Sequence, residues 1–333
     1  MNDRLKKIIQ YVVLLAIGGL LIYLSIKRTS VSKEELINAF KSSNIWWIAI
    51  SLVVSFASHF ARAYRWNYLL ENYNYKVDIV TSTSSVLIGY LANYGLPRMG
   101  EISRCAVVAK YNNVPMDIAL GTVIAERVVD LLLLFIVFML VILFQWNDLQ
   151  LLLNKYILDP LSQKISLSYL IIALILIIAS IIIWMKIRKK TDENSNQDFI
   201  SKILKVIKNL IQPLLSIHKI RHPVGFWIWS IVIWLFYFLS MYFCALSMDS
   251  TENLGGFKIL VLFLFGTFGV IVTPGGIGAY HFLITELLLF YQIDKASAVA
   301  FPWIIWGTQF LLILMTGGLS FILLPIINSK TKN

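Results

Sequence analysis

The chain has 333 residues, of which 58% are hydrophobic and only 14% are charged, with 29 Lys and Arg against 18 Asp and Glu. Soluble domains are roughly 45–50% apolar and about 25% charged, so this composition excludes a water-soluble globule and is typical of a polytopic helical membrane protein. A net charge of +11 suggests nucleic acid in a soluble protein, but these cations lie between apolar segments. We therefore expect membrane topology to explain them, and no nucleic-acid partner.

The first predicted span is the apolar run of residues 8–26, which contains no Asp, Glu, Lys or Arg. It lacks a signal-peptide cleavage site and is followed by Lys27 and Arg28, so we expect it to be retained. The amphipathic stretch VSKEELINAFKSS, residues 31–43, predicts a helix at the membrane interface, and residues 45–64 predict a second span.

Two later segments, residues 85–115 and 262–291, are apolar but interrupted by Gly and Pro. In each segment a glycine precedes a proline by eight residues. These residues are Gly89 and Pro97 in the first segment, and Gly266 and Pro274 in the second. The two pairs are therefore offset by 177 residues (266 − 89 = 274 − 97 = 177). The same offset places 45–64 on 222–241 and 116–144 on 293–321. We interpret the chain as two copies of one unit, with the second inverted because each copy has three full crossings.

The strongest orientation signal is a group of nine Lys and Arg within residues 186–221, which places the segment 186–222 in the cytoplasm. The span 165–185 then begins outside, after an outer loop of residues 146–164. Both termini are expected to be cytoplasmic, in the inner (plasma) membrane. The segment 186–222 is too short to build an independent core, so we expect no fused catalytic domain.

The predicted fold is therefore all-α, with about six full spans and two broken or re-entrant segments. We expect a single membrane domain, residues 1–333, with repeat halves of about 8–145 and 165–326. Whether 79–96 and 259–292 cross fully or re-enter is left open.

Intramembrane charges are the first candidates for a function, because a charge at the centre of a membrane helix costs about 2.5–3.5 kcal/mol on insertion scales. In GTVIAERVVDLLLLF, Glu126, Arg127 and Asp130 share one helix face, and the i, i+3 spacing lets Arg127 pair with Asp130. A structural ion network and a site for a lipid headgroup or an ion are equally compatible with this pattern.

The break before that helix reads PRMGEISR, residues 97–104. Arg98 and Arg104 could hold a phosphate, Glu101 could orient Arg104, and Gly100 would let the backbone approach a ligand. Anchoring of a helix end by positive charge is the competing interpretation.

The second break repeats the glycines without the arginines, at Pro274, Gly275, Gly276 and Gly278, and is followed by Glu286. We expect no catalytic residues, metal ligands or cofactor, because no motif for them is present. The candidate substrate-binding residues are Arg98, Gly100, Glu101, Arg104, Glu126, Arg127, Asp130, Pro274, Gly275, Gly276, Gly278 and Glu286.

At these motifs the sequence resembles the transmembrane region of lysylphosphatidylglycerol synthases, which defines a wider flippase-like membrane family. The resemblance rests on LPRMGEISR followed by AERVVD, on RAYRW and on TPGGIGAY, and covers about residues 8–326. Position by position, it implies site residues at Arg65, Pro97, Arg98, Gly100, Glu101, Arg104, Glu126, Arg127, Pro274, Gly275, Gly276 and Gly278.

The sequence departs from the family in two ways. The full synthases add a cytosolic aminoacyl-transferase domain, which this sequence does not contain, so we do not expect lysyl transfer. Members often carry an acid soon after PGGIG and an arginine in the last span, where this chain has His281 and Trp303 with Trp306. This difference leaves the charge of the substrate open.

We therefore predict a flippase-like transporter of an anionic or modified phospholipid, or of a lipid-linked intermediate. Its expected partners are membrane lipids with an anionic headgroup; a homo-oligomer and a separate lipid-modifying enzyme stay open. One alternative is a polyprenyl-phosphate-dependent glycosyltransferase, which would use Glu101, Glu126 or Asp130 as its base. Another is a non-catalytic accessory subunit. The lack of a nucleotide or nucleotide-sugar motif favours transport over an enzyme.

Overall fold

The computed structural model describes residues 3–95, 99–155 and 220–330, with side chains from residue 16 to residue 328 of these ranges. These residues form helices and contain no strand, as the composition predicts. The chain divides into two compact units, residues 1–144 with 219–333, and residues 145–218. In the second unit only the end of one helix is described. All contacts below lie within the first unit.

Six helices occupy the first part of the chain. They are α1 (Asp3–Thr29), α2 (Lys33–Lys41), α3 (Ile45–Glu71), α4 (Ile79–Gly95), α5 (Met99–Asn112) and α6 (Met116–Leu153). The first predicted span lies in α1, and the predicted interfacial stretch forms α2. Helix α6 is interrupted at Gln145, whose φ of −133° is not helical.

After residue 219 the described helices are α7 (Pro223–Ala245), α8 (Asp249–Glu252), α9 (Gly256–Val272), a 3₁₀ turn (Pro274–Gly276), α10 (Ala279–Phe290) and α11 (Lys295–Lys330). Four of the helices in the described ranges are long and apolar enough to cross a membrane: α3, α6, α7 and α11 up to Asn328. The protein is thus a multi-pass membrane protein. The predicted span 165–185 and the basic segment 186–219 lie outside the described residues, so the total number of spans stays a prediction.

Both predicted broken segments end one helix and begin another that packs back on it. Helices α4 and α5 form the first hairpin, and α9, the 3₁₀ turn and α10 form the second. Glycine makes these close approaches possible: a Cβ on Gly89 would lie 2.8 Å from the carbonyl oxygen of Gly100, and one on Gly269 would lie 2.7 Å from the Cα of Tyr280. In the second hairpin the turn has positive φ at Gly275, Gly276 and Gly278, which favours glycine.

Helices α3 and α7 pack along their length and run antiparallel. Trp47, near the start of α3, stacks on Phe243 near the end of α7, and Tyr68 near the end of α3 contacts His222 just before α7. This helix pair forms the support against which the first hairpin and α6 place their charged side chains.

Candidate functional site

Seven charged side chains from three helices form one ion network beside the first hairpin. It consists of Arg62 and Arg65 on α3, Glu101 and Arg104 on α5, and Glu126, Arg127 and Asp130 on α6. Four cations against three carboxylates leave a net charge of +1. Inserting this many charges into a membrane domain costs free energy, so we expect the network to have a structural or a functional role.

The centre of the network is Glu126, which is fully buried and lies between two arginines. Its Oε1 accepts a hydrogen bond from Nε of Arg65 at 3.2 Å, and its Oε2 is 2.9 Å from Nη1 of Arg104. One helical turn away, Asp130 accepts from Nη1 of Arg65 at 2.7 Å and from Nη1 of Arg62 at 3.1 Å. Glu126 and Asp130 therefore each join Arg65 to a second arginine.

Arg104 is only 4% exposed, and its guanidinium carbon lies 3.9 Å from the ring centre of Trp66. The Trp66 ring is itself fixed by a hydrogen bond from its Nε1 to Thr122. Nε and Nη2 of Arg104 have no hydrogen-bond partner among the described residues. A buried donor without an acceptor is unfavourable by about 1–3 kcal/mol, more when charged, so these two nitrogens are suited to bind an acceptor from outside the protein.

A narrow cleft of about 10 Å³, space for about one water, lies where the ion network meets the first hairpin. Its lining residues come from α3, α4, α5 and α6: Arg62, Val86, Gly89, Tyr90, Asn93, Gly100, Glu101, Arg104 and Arg127. The Asn93 side chain accepts a hydrogen bond from the Gly100 amide at 2.8 Å and so joins α4 to the start of α5. Arg127 and Glu101 are the most exposed members of the network, with 44% and 29% of their side chains accessible.

The structure brings most of the first-half candidates together but changes their pairing. Arg127 does lie near Asp130, at 3.7 Å, yet its shorter contact is with Glu101 at 2.9 Å. The prediction that Glu101 orients Arg104 is wrong, because Glu126 is the carboxylate that pairs with Arg104. Gly100 lines the cleft, while Pro97 and Arg98 lie outside the described residues.

The second-half candidates have different surroundings. Gly275 accepts a hydrogen bond from Nε1 of Trp306 at 2.7 Å, and Gly276 and Gly278 complete the turn that Pro274 begins. Glu286 pairs with Arg28 of α1 at 3.0 Å. The tips of the two hairpins meet, since a Cβ on Gly275 would lie 3.2 Å from the Tyr94 ring of α4.

An aromatic cluster occupies this region: Tyr94, His281, Trp303, Trp306 and Phe310. The ring centre of His281 lies 4.1 Å from that of Trp303 and 5.3 Å from that of Trp306, while Tyr94 packs edge-on against Phe310 at 5.0 Å. Aromatic rings therefore pack beside the second hairpin, whereas arginines and carboxylates pack beside the first.

Sequence reasoning missed the role of Arg62 and of Tyr237 on α7, whose hydroxyl accepts from Nε and Nη2 of Arg62 at 3.2 and 3.1 Å. Neither residue is among the candidates predicted from the sequence. A signal was available, since the polar residues of α3 recur every three or four positions, at 51, 55, 58, 62 and 65, as on a buried face.

Residues 10–317 match the family model described as lysylphosphatidylglycerol synthase TM region. Neither the curated proteins nor the solved structures gave a significant match.

Proposed function

Because the chain belongs to the lysylphosphatidylglycerol synthase transmembrane-region family, we propose that it binds an anionic phospholipid headgroup beside the first hairpin and moves it between leaflets. The observation that carries this proposal is the buried guanidinium of Arg104 at a cleft lined by two further arginines. Two of its nitrogens have no hydrogen-bond partner among the described residues. A phosphate has the acceptor oxygens that these donors need.

Electrostatics favour an anion at this place. Arg62, Arg104 and Arg127 line the cleft, and Glu101 is the only carboxylate among the lining residues. A headgroup that leaves water must exchange its hydration shell for fixed donors, and a planar arginine fork supplies two parallel hydrogen bonds where a lysine offers a point charge. The cleft is narrow, so the hairpin has to open for a headgroup to enter.

Movement across the membrane is supported by the proposed inverted repeat. Helix α9 has the bounds of α4 shifted by 177 residues at both ends (256 − 79 = 272 − 95 = 177). The bounds of α7, α10 and α11 agree with those of α3, α5 and α6 within three residues of the same shift. The equivalent helices α3 and α7 run antiparallel, which an inverted repeat requires, and paired broken helices are typical of transporter binding sites.

We place the protein in the plasma membrane with both termini in the cytoplasm, and with repeat halves of about 8–145 and 165–326. Its partners on this proposal are anionic membrane lipids. A homo-oligomer or a separate lipid-modifying enzyme would extend this arrangement without changing the site.

A polyprenyl-phosphate-dependent glycosyltransferase would need an available carboxylate as a base. Glu101, Glu126 and Asp130 each pair with an arginine, so the site geometry gives this alternative no support. An accessory subunit without transport of its own is distinguished by direct assay of the purified chain.

The test uses the purified protein in vesicles that contain fluorescent phosphatidylglycerol, with a quencher that reports how much of the lipid faces outward. Arg104→Lys keeps the charge but loses the bidentate contact, so we expect binding or movement to fall roughly ten- to a hundred-fold, equivalent to about 1.5–3 kcal/mol. Arg28→Lys is the matched control, because Arg28 pairs with Glu286 away from the cleft. Wild-type rates in the Arg104→Lys protein would overturn the proposal.

A further inference from the structure

A buried polar track follows one face of α3 away from the ion network. It consists of Ser51, Ser55, Ser58, His59 and Arg62, each of which is no more than 6% exposed. Polar side chains on a buried face of a membrane helix need partners or a function, because the surrounding medium offers few hydrogen bonds. The track covers 11 residue steps from 51 to 62, about 16 Å of helix, or roughly half the hydrocarbon thickness.

The end of the track farther from the ion network is a closed hydrogen-bond group between three helices. Oγ of Ser51 donates to the carbonyl oxygen of Ser240 at 2.7 Å, and Oγ of Ser240 is 3.1 Å from the carbonyl oxygen of Ser51. Gln309 of α11 joins them, since its amide nitrogen donates to Oγ of Ser240 at 3.2 Å and its amide oxygen accepts from Ser55. Ser51 lies six residues, about 9 Å, from the first residue of α3.

The other end of the track is Arg62, which belongs to the ion network through its hydrogen bond to Asp130. Arg62 also donates to the hydroxyl of Tyr237, and this hydroxyl lies 3.2 Å from the hydroxyl of Tyr90 on α4. Tyr90 lines the cleft, so hydrogen bonds connect the cleft wall with the ion network. Asp130 also lies near Arg127, which pairs with Glu101, and these two are the most exposed members of the ion network.

His59 stands between these two groups. Its ring centre lies 4.7 Å from that of Tyr90, and neither ring nitrogen has a hydrogen-bond partner among the described residues. Among the ionisable groups of the described residues, Tyr90 on α4 contacts the imidazole directly, and Arg62 lies three residues further along α3. Hydrogen bonds and ion pairs connect these two residues with Tyr237 on α7, Arg65 on α3, Glu126 and Asp130 on α6, and Arg104 on α5. The positive charge of Arg62 opposes a proton on the imidazole as long as no anion neutralises that charge.

We propose that His59 is a proton-binding site and that one proton moves together with each anionic headgroup. This inference rests on the proposed function, since it names the ion that is coupled to lipid movement. The geometry that carries it is a buried imidazole without a hydrogen-bond partner among the described residues, placed along α3 between two hydrogen-bonded groups.

The coupling follows from charge. A phosphate bound beside Arg62 brings negative charge close to His59 and favours an N–H bond on its free ring nitrogen, with the proton taken from solvent on the side from which the lipid enters. When the headgroup leaves on the other side, this N–H bond breaks and the proton goes to solvent there. Lipid and proton therefore favour each other's binding equally, and the pair crosses without net charge.

The experiment measures the steady-state leaflet ratio of fluorescent phosphatidylglycerol in vesicles with an imposed pH difference, with protein-free vesicles as the blank. For one proton per monovalent lipid, each pH unit should change the ratio about tenfold. If the wild type moves lipid but its ratio stays at one for every pH difference, proton coupling is overturned while the proposed function stands. If the wild type moves no lipid under either condition, the proposed function itself is overturned.

His59→Gln keeps a polar side chain of similar size but cannot carry a proton, so we expect lipid movement with a ratio near one at every pH difference. His281→Gln is the matched control: His281 is 2% exposed and has unpartnered ring nitrogens, but aromatic rings surround it, and we expect it to keep the tenfold response. A full response in His59→Gln would overturn the proposal. Should His59→Gln not fold, a trapped pH dye decides the matter in the wild type, where one proton per lipid is expected and no proton uptake would overturn it.

Discussion

The two hairpins have the same backbone plan but opposite chemistry beside them. Arg104 on α5 and His281 on α10 differ by 177 positions, as do Glu126 on α6 and Trp303 on α11. Arg104 and Glu126 form an ion pair at 2.9 Å. Their counterparts His281 and Trp303 form a ring contact, with ring centres 4.1 Å apart. On the proposed repeat, equivalent positions carry charges in one half and aromatic rings in the other, so we expect that the fold alone does not require the charges beside the first hairpin.

This difference indicates what the ion network is for. A buried ion pair is weak evidence for stability, because apolar side chains of similar volume often stabilise as well or better. On the proposed repeat, the aromatic cluster is the counterpart of the ion network in the other half of the chain. This comparison supports the proposal that the ion network binds substrate, whereas the aromatic cluster packs at the hairpin tips.

The largest effect is expected from leucine substitutions at Glu126 and at Trp303, which is offset from Glu126 by 177 residues. Glu126→Leu leaves Arg65 and Arg104 buried without their shared carboxylate and should lower the free energy of unfolding by about 3–5 kcal/mol. Trp303→Leu removes the ring contacts with His281 and Trp306 and should lower the free energy of unfolding by roughly 1–3 kcal/mol. Thermal unfolding of both variants in one detergent measures the difference; equal losses would contradict the contrast between the two clusters.

The equivalence of the positions is tested by building an ion pair in the second half. His281→Arg alone buries a charge without a partner, and adding Trp303→Glu should recover about 1–3 kcal/mol of coupling in a double-mutant cycle of unfolding free energies. If the two substitutions are additive, these side chains do not face each other as Arg104 and Glu126 do.

Alanine at the two equivalent hairpin glycines sharpens the comparison further. A Cβ on Gly89 would lie 2.8 Å from a backbone oxygen, whereas a Cβ on Gly266 would lie 2.9 Å from the ring edge of Tyr280. Because a ring can shift more easily than backbone, Gly89→Ala should cost about 1–3 kcal/mol of stability and Gly266→Ala less. A larger loss for Gly266→Ala would show that the second hairpin is the more rigid of the two.

The smallest effect concerns α2, which serves as a reference outside both clusters. The Ser32 amide donates to the Glu35 carboxylate at 2.7 Å and lowers the pKa of Glu35, while Ser32 Oγ accepts from the Glu35 amide. Since the pKa is lowered in the folded protein, the stabilisation is present above the usual glutamate pKa and is lost as the pH falls through the lowered value. Hydrogen exchange should show the first turn of α2 opening more readily at a pH below the usual glutamate pKa than at neutral pH. Equal protection at neutral and acidic pH would contradict this.

Much of the fold could be predicted because apolar length, glycine spacing and the shift of 177 residues are properties of the chain itself. The breaks after Gly95 and Val272 were predicted in this way. The site was harder, because pairing depends on which helices meet. Arg127 and Asp130 share a helix face, which predicts that they pair with each other. The packing of α3 and α5 against α6 gives each of them a closer partner: Asp130 contacts Arg65, and Arg127 contacts Glu101. Periodicity within one helix cannot supply that information.

The central claim is that anionic lipid binds at Arg104 in the ion network and not at the aromatic cluster. Native mass spectrometry of the purified protein measures retained lipid directly, in parallel for wild type, Arg104→Lys and His281→Gln. We predict that wild type and His281→Gln retain an anionic phospholipid, and that Arg104→Lys binds it roughly ten- to a hundred-fold more weakly. Retention of the lipid by Arg104→Lys at the wild-type level would contradict the account.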